Sequence, residues 1–149
     1  MTGRKLIQRK AIPAVRILMR SAHRRVRPRL RSIEAALRRA TPVGHRGERA
    51  EILFTTDAHI ASLAGRYRGS PHPTDVLAFP GGEAGFGGSI AISLDAARRQ
   101  ARERGVTLTE ELILLSVHGL LHLDGQGDES MPDWCAMRVR EFETLVRIL

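Results

Sequence analysis

Apolar residues in this chain recur with two periods, and the changes of period mark the elements. Leu30, Ile33, Ala36 and Leu37 fall at helical spacing, which predicts an amphipathic helix over Arg29 to Ala40, ended by Thr41-Pro42. Gly44 to Gly47 is a loop, and Glu51 to Thr55 a short apolar strand. Asp57 is placed to cap a short helix through Ala64. Arg66 to Thr74 is polar and holds Gly69, Pro71 and Pro73, so it reads as a loop. Val76 to Phe79 is a strand stopped by Pro80-Gly81-Gly82. Glu83 to Gly88 is a flexible Gly-rich loop, since no Gly-Lys-Ser/Thr comes after it to make it a phosphate cradle. Ser89 to Ser93 alternates as a strand. Asp95 to Arg104 is a charged helix ended by Gly105. Thr107 and Glu110 form a capping-box pattern ahead of the apolar run Leu112 to Leu123. Pro132 suits the first turn of a last helix. There Trp134, Met137, Glu141, Phe142, Leu145 and Leu149 share a helical spacing, and the apolar members read as a core stripe. Periodicity leaves Ala14 to Val26 unsettled. Mixed strands and helices over this length predict a small sheet packed by helices.

Composition narrows the class. A chain of 149 residues makes one domain, expected over residues 13–149, with residues 1–12 a basic, disordered lead-in. No apolar run reaches the length of a membrane span. The single cysteine, Cys135, forms no internal disulfide, so an oxidising compartment is not needed. It reads as a small core residue of the last helix.

Charge divides the chain. Residues 1–50 hold 15 of the 24 Lys+Arg and only two acids, Glu34 and Glu48, for a net charge of +13. Residues 51–149 carry −5. Thirteen of the N-terminal bases are arginine, whose planar fork suits phosphate. A polyanion such as RNA is therefore the expected partner of this half. An Arg-rich start also suits a mitochondrial transit peptide, but the basic character continues through predicted structure and serines are scarce.

The chemistry concentrates in the apolar run. His118 and His122 stand one helical turn apart, with Cβ atoms roughly 5–6 Å from each other. Two such rings can reach one divalent cation, although two carbonyl-bonded core histidines would share the spacing. The residues beyond His122 tip the balance toward metal. Gly125 can take the left-handed conformation that stops a helix, so the chain can turn back and offer Asp128 as a third donor. Three ligands and an open position describe a catalytic zinc site rather than a structural one. Glu129 is a lesser candidate, and Asp124 lies too soon after His122 to turn back. The residue after His118 is Gly119 rather than the glutamate of H-E-x-x-H, so a peptidase would lack its base.

Three segments resemble the YbeY family of metal-dependent rRNA endoribonucleases. They are Tyr67-Arg68-Gly69 with Pro73-Thr74-Asp75-Val76-Leu77-Ala78-Phe79-Pro80, then Gly87-Gly88-Ser89-Ile90-Ala91-Ile92-Ser93, then His118-Gly119-Leu120-Leu121-His122-Leu123-Asp124-Gly125. The resemblance runs from about Ile17 to the C-terminus. It implies an α+β fold: a single domain with a small mixed sheet packed by helices, a first strand over Ile17 to Val26, and a metal cleft beside the His118/His122 helix.

The resemblance also implies a function. That function is cleavage of single-stranded RNA in 16S rRNA 3′-end maturation and ribosome quality control, in the cytoplasm. Ribosomal RNA, the small subunit and ribosome assembly proteins would be partners, with no membrane. His118, His122 and Asp128 would hold one Zn2+ or another divalent metal. Arg68 falls at the family's catalytic arginine, and Arg66, Arg68 and His72 would contact RNA. Asp75 reads as a structural residue closing the loop. The chain departs from the family pattern at Asp128, where the third histidine falls, at Gln126-Gly127, at Ser89 and at Ala64. Aspartate is itself a metal ligand, so the site reads as retuned, with a weaker Lewis acid and a wider choice of metal. The rival readings are a non-catalytic RNA-binding assembly factor with a vestigial site, and a hydrolase of peptides or small molecules.

Overall fold

The computed structural model describes residues 16–39, 49–70, 74–83 and 85–148. β1 (Arg16–Ser21) lies parallel to β2 (Arg49–Thr55), with α1 (Leu30–Arg39) between them in sequence. A parallel pair needs such a crossover. α2 (Asp57–Arg68) leads to β3 (Val76–Pro80), which runs antiparallel to β4 (Phe86–Ser93), and β4 returns parallel to β2. The order across the sheet is β1-β2-β4-β3. α3 (Leu94–Arg104), α4 (Leu108–Leu123) and α5 (Met131–Ile148) complete the chain. The fold is α+β with one mixed sheet, as expected.

The sheet's two faces are unequally covered. Ala50, Ile52 and Phe54 of β2 and Ile90 and Ile92 of β4 point to one side. There they join Ile33 and Leu37 of α1, Leu112, Leu115 and Leu120 of α4, and Met137 of α5 in the main core. The other side has a smaller cluster, in which Ile60 and Ala64 of α2 meet Leu77 of β3 and Ala91 of β4. α2 packs on β3 and β4, so the outer side of β1 and β2 is left open and Leu18 stays 54% exposed. Among the described residues no single helix is long and apolar enough to cross a membrane.

Several expectations need correction. β1 is shorter than the Ile17 to Val26 expected from the resemblance. α2 is capped by Thr56 rather than Asp57, through a side-chain oxygen that accepts from the His59 N–H. It runs on to Arg68, where Gly69 at φ 68° supplies the left-handed stop. Tyr67 and Arg68 therefore sit on a helix and not in a loop. β4 starts at Phe86, inside the stretch expected to be a flexible loop, because Phe86 and Gly88 pair with Arg49 and Ala50 of β2. On α5 the buried line runs through Met137, Glu141 and Thr144. Phe142 lies about 100° around the helix from Glu141, so it is 69% exposed, and Trp134 is 49% exposed. Cys135 is exposed rather than core. Residues 1–12, the Gly44 to Gly47 loop, His45, His72 and Leu149 lie outside the described residues.

Candidate metal centre

α4 is fixed at both ends by local chemistry. Thr107 accepts from the Glu110 N–H while the Glu110 side chain accepts from the Thr107 N–H, so both halves of the capping box form. At the other end the Gly125 N–H bonds His122 O and the Gln126 N–H bonds Leu121 O. That pair of bonds is a Schellman motif, with Gly125 at φ 87° as its left-handed residue. The chain reverses there. Arg140 of α5 then pins the turn, donating to Asp124 at 2.5 Å and to Gln126 at 3.4 Å. Asp124 is thereby engaged as an ion-pair partner, away from the imidazoles.

The reversal delivers Asp128. Its Oδ2 lies 3.6 Å from His118 Nε2 and 3.5 Å from His122 Nε2, and the two nitrogens are 2.9 Å apart. Ligands about 2.0–2.1 Å from a tetrahedral ion stand roughly 3.3 Å from one another. The three separations bracket that value, so the donor set fits a small divalent cation. Among the described residues this trio is the cluster able to hold a metal. Glu129 is exposed and outside it.

Glu141 completes the arrangement. It is 4% exposed, and one oxygen lies 2.5 Å from His118 Nδ1 while the other lies 3.1 Å from Arg138. A carboxylate there holds the proton on Nδ1 and leaves the Nε2 lone pair facing Asp128 and His122. The helical stripe includes Glu141, but periodicity gives it no role. The available signal was a carboxylate on the buried side of an apolar helix, which needs a partner.

Burial, and then the neighbouring His118, hold the His122 imidazole below its usual protonation range, against the opposing pull of Asp128. Its neutral form is thus favoured at neutral pH, as a metal ligand requires. In the metal-free chain the unfolded state takes up this proton more readily than the folded one. Stability therefore falls as pH drops through the imidazole range.

Gly119 has a packing reason. A Cβ there would meet Ile90 Cγ2 at 2.7 Å, so glycine lets α4 lie directly on β4. Gly119→Ala is expected to destabilise the fold by about 1–3 kcal/mol. Equilibrium denaturation would read the loss, and an unchanged midpoint would refute the account.

Arg68 ends α2, and its charge reaches His122. It makes no ion pair with any described residue. Arg66 is on the same exposed turn. Asp75 accepts from Gln100 at 3.0 Å and from the Ser93 N–H at 2.8 Å, a structural tie between β3, α3 and β4. His23 bonds Asp95 at 2.9 Å and His59 bonds Thr55 at 2.8 Å, both outside the centre.

An α+β protein with an open three-donor centre on a helix is the class this geometry defines. The family described as Endoribonuclease YbeY matches residues 20–148, and the chain belongs to the YbeY family. It is 41% identical over 117 residues to Endoribonuclease YbeY of Thermus thermophilus, covering 74% of this chain and 83% of that one. The corresponding protein of Pelotomaculum thermopropionicum is 42% identical over 113 residues, covering 68% and 74%. The solution structure of TM1509 from Thermotoga maritima has the same fold, with a TM-score of 0.62, 23% identity, and coverage of 90% of this chain and 88% of that one.

Proposed function

We propose that this chain is a metal-dependent endoribonuclease acting on single-stranded RNA, with a place in 16S rRNA 3′-end maturation and ribosome quality control. The observation that carries the reading is the His118, His122 and Asp128 trio, with donor spacing suited to one divalent cation, in a chain of the YbeY family. Zinc is the expected metal for two imidazoles and a carboxylate, and the oxygen donor also admits manganese or iron. When bound, such a cation polarises a phosphoryl oxygen and supplies a nucleophile at neutral pH.

The chain's own residues do the rest. His118, His122 and Asp128 fix the site on a capped helix and a pinned turn. Glu141 keeps His118 in the tautomer that presents Nε2. Arg68, uncommitted to any described carboxylate, is free to take charge growing on a scissile phosphate. The arginines of residues 1–50, with Arg66, position RNA through its phosphates without reading sequence. Ribosomal RNA, the small subunit and assembly proteins in the cytoplasm fit that role.

The test pairs elemental analysis of the purified protein with cleavage of a single-stranded RNA. About one metal per chain and activity abolished by chelator are expected, with RNA binding that weakens steeply as salt rises. Cleavage that persists in chelator would overturn the mechanism. RNA binding without bound metal and without cleavage would favour the assembly-factor reading with its vestigial site.

Glu141 gives a second test. Glu141→Ala should lower metal affinity about 10- to 100-fold. Glu141→Gln, which can still accept the Nδ1 proton through its amide oxygen, should lose less. Unchanged metal affinity in Glu141→Ala would assign Glu141 to packing alone.

A further inference from the structure

The uncovered side of the sheet carries a groove of about 660 Å³ lined by Leu18, Leu53, Leu63, Tyr67, Phe79 and Ala91. Its origin is the strand register. Leu18 on β1 pairs with Glu51 on β2, Glu51 with Ser89 on β4, and Ser89 with Phe79 on β3. The period of two sends all four side chains to the side away from α4. Three strand spacings make this row about 14 Å long. α2 overhangs only the β3 and β4 end, where Tyr67 and Phe79 meet edge to face at 5.3 Å.

The groove's chemistry is lopsided. Its floor is apolar and its α2 end aromatic, with Tyr67 62% exposed. Its β1 side is basic. Arg16 and Arg20 share the face of Leu18 and are exposed, and neither makes an ion pair with any described residue. Glu51, the acid in the lining, is partly neutralised by Arg49 at 3.6 Å. Arg49 itself sits over the Phe86 ring at 5.4 Å. Flat apolar surface beside unpaired arginines suits bases that stack and phosphates that pair. A protein partner's apolar side chains would fill the floor but leave that positive rim unanswered. The groove's β3 end lies near the C-terminal end of α4. Phe79 lines the groove, and a Cβ on Gly88 would meet both the Phe79 carbonyl oxygen and the side chain of Leu123, the residue after His122.

We infer that this open sheet face is a second RNA subsite. It would hold a few unpaired nucleotides flanking the scissile bond, stacked against Tyr67 and the apolar floor, with phosphates on Arg16 and Arg20. The inference rests on the endoribonuclease reading and goes beyond it, by placing the flanking strand on the face opposite the core. Base stacking thereby gains a role despite an aromatic content of only 4%.

The test uses the full chain in chelator, so that no RNA is cut. Binding of a single-stranded oligoribonucleotide of about twelve nucleotides is compared with that of a trinucleotide. Leu18→Glu and Arg20→Glu change exposed side chains and should leave the fold intact, which thermal denaturation checks. Each should weaken the long oligonucleotide roughly tenfold and leave the trinucleotide unchanged. Tyr67→Phe should keep most of the affinity that Tyr67→Ala loses. Photo-crosslinks from thiouridine-substituted RNA should fall on β1 and Tyr67.

Unchanged long-oligonucleotide binding in both β1 variants overturns the subsite. So does an effect of those variants confined to co-sedimentation with ribosomal subunits, which would assign the groove to a protein. The metal-loaded wild type separates the two readings. If it cuts RNA while the groove variants behave as wild type, only the subsite fails. If it cuts no RNA, the nuclease reading fails.

Discussion

Asp128→Ala should strip the protein of its metal and abolish RNA cleavage together. Without Oδ2 the two imidazoles remain, 2.9 Å apart, with no anionic donor to close the set. Two neutral ligands hold a divalent cation far less tightly than three donors. The loss should exceed the 10- to 100-fold expected for residues that merely orient a ligand. Elemental analysis and a cleavage assay on the same preparation read both effects. Circular dichroism should be unchanged, because Asp128 is partly exposed and its turn is held by Arg140 and the Schellman bonds instead. Full metal content in Asp128→Ala would remove the carboxylate from the ligand set.

Asp128→His tests the charge of the third donor. A neutral donor in place of an anionic one leaves more positive charge at the centre, so the acid limb of the pH–rate profile should move to lower pH. A profile that stays in place would mean that the third donor does not tune the reaction.

Arg68→Ala should leave metal content intact and lower kcat/KM about 10²- to 10³-fold, the usual penalty for removing a group that stabilises transition-state charge. The basis is a guanidinium on the last turn of α2, exposed and without a described carboxylate partner, whose charge helps to hold the His122 imidazole below its usual protonation range. Arg68→Lys keeps the charge but loses the planar fork and should recover only part of the rate. A loss carried wholly by KM would reassign Arg68 to ground-state RNA binding, and a loss of metal would make it structural.

The helix bearing the two histidines was legible because its signals are local. A capping box, a 3.6-residue period and a glycine stop act over a few residues each, and all of them form. The end of α2 was misread for the opposite reason. Polar residues, a glycine and two prolines over Arg66 to Thr74 describe a loop by composition. Yet helical bonding continues to Arg68, and only the left-handed Gly69 ends it. On α5 the period was right and the face only partly so. Met137 is buried, but Phe142 is turned to the surface. Apolar character alone cannot place a residue when the line of contact with α4 runs through Glu141 and Thr144.

By itself the sequence determined the composition of the fold and the chemical types at the centre: two imidazoles one turn apart, and a carboxylate past a glycine turn. Which carboxylate faces the imidazoles was decided by the tertiary structure. Asp124, Asp128 and Glu129 lie within six residues, and long-range contact sorts them, because Arg140 from α5 engages Asp124 and pins the turn that aims Asp128. Glu141 is 23 residues from His118 and meets it only because α5 packs on α4. The groove depends on four strands aligning Leu18, Glu51, Ser89 and Phe79 in one row. Short-range rules set backbone conformation. Which side chains of different elements face one another is set by the packing of distant segments, and no local pattern encodes it.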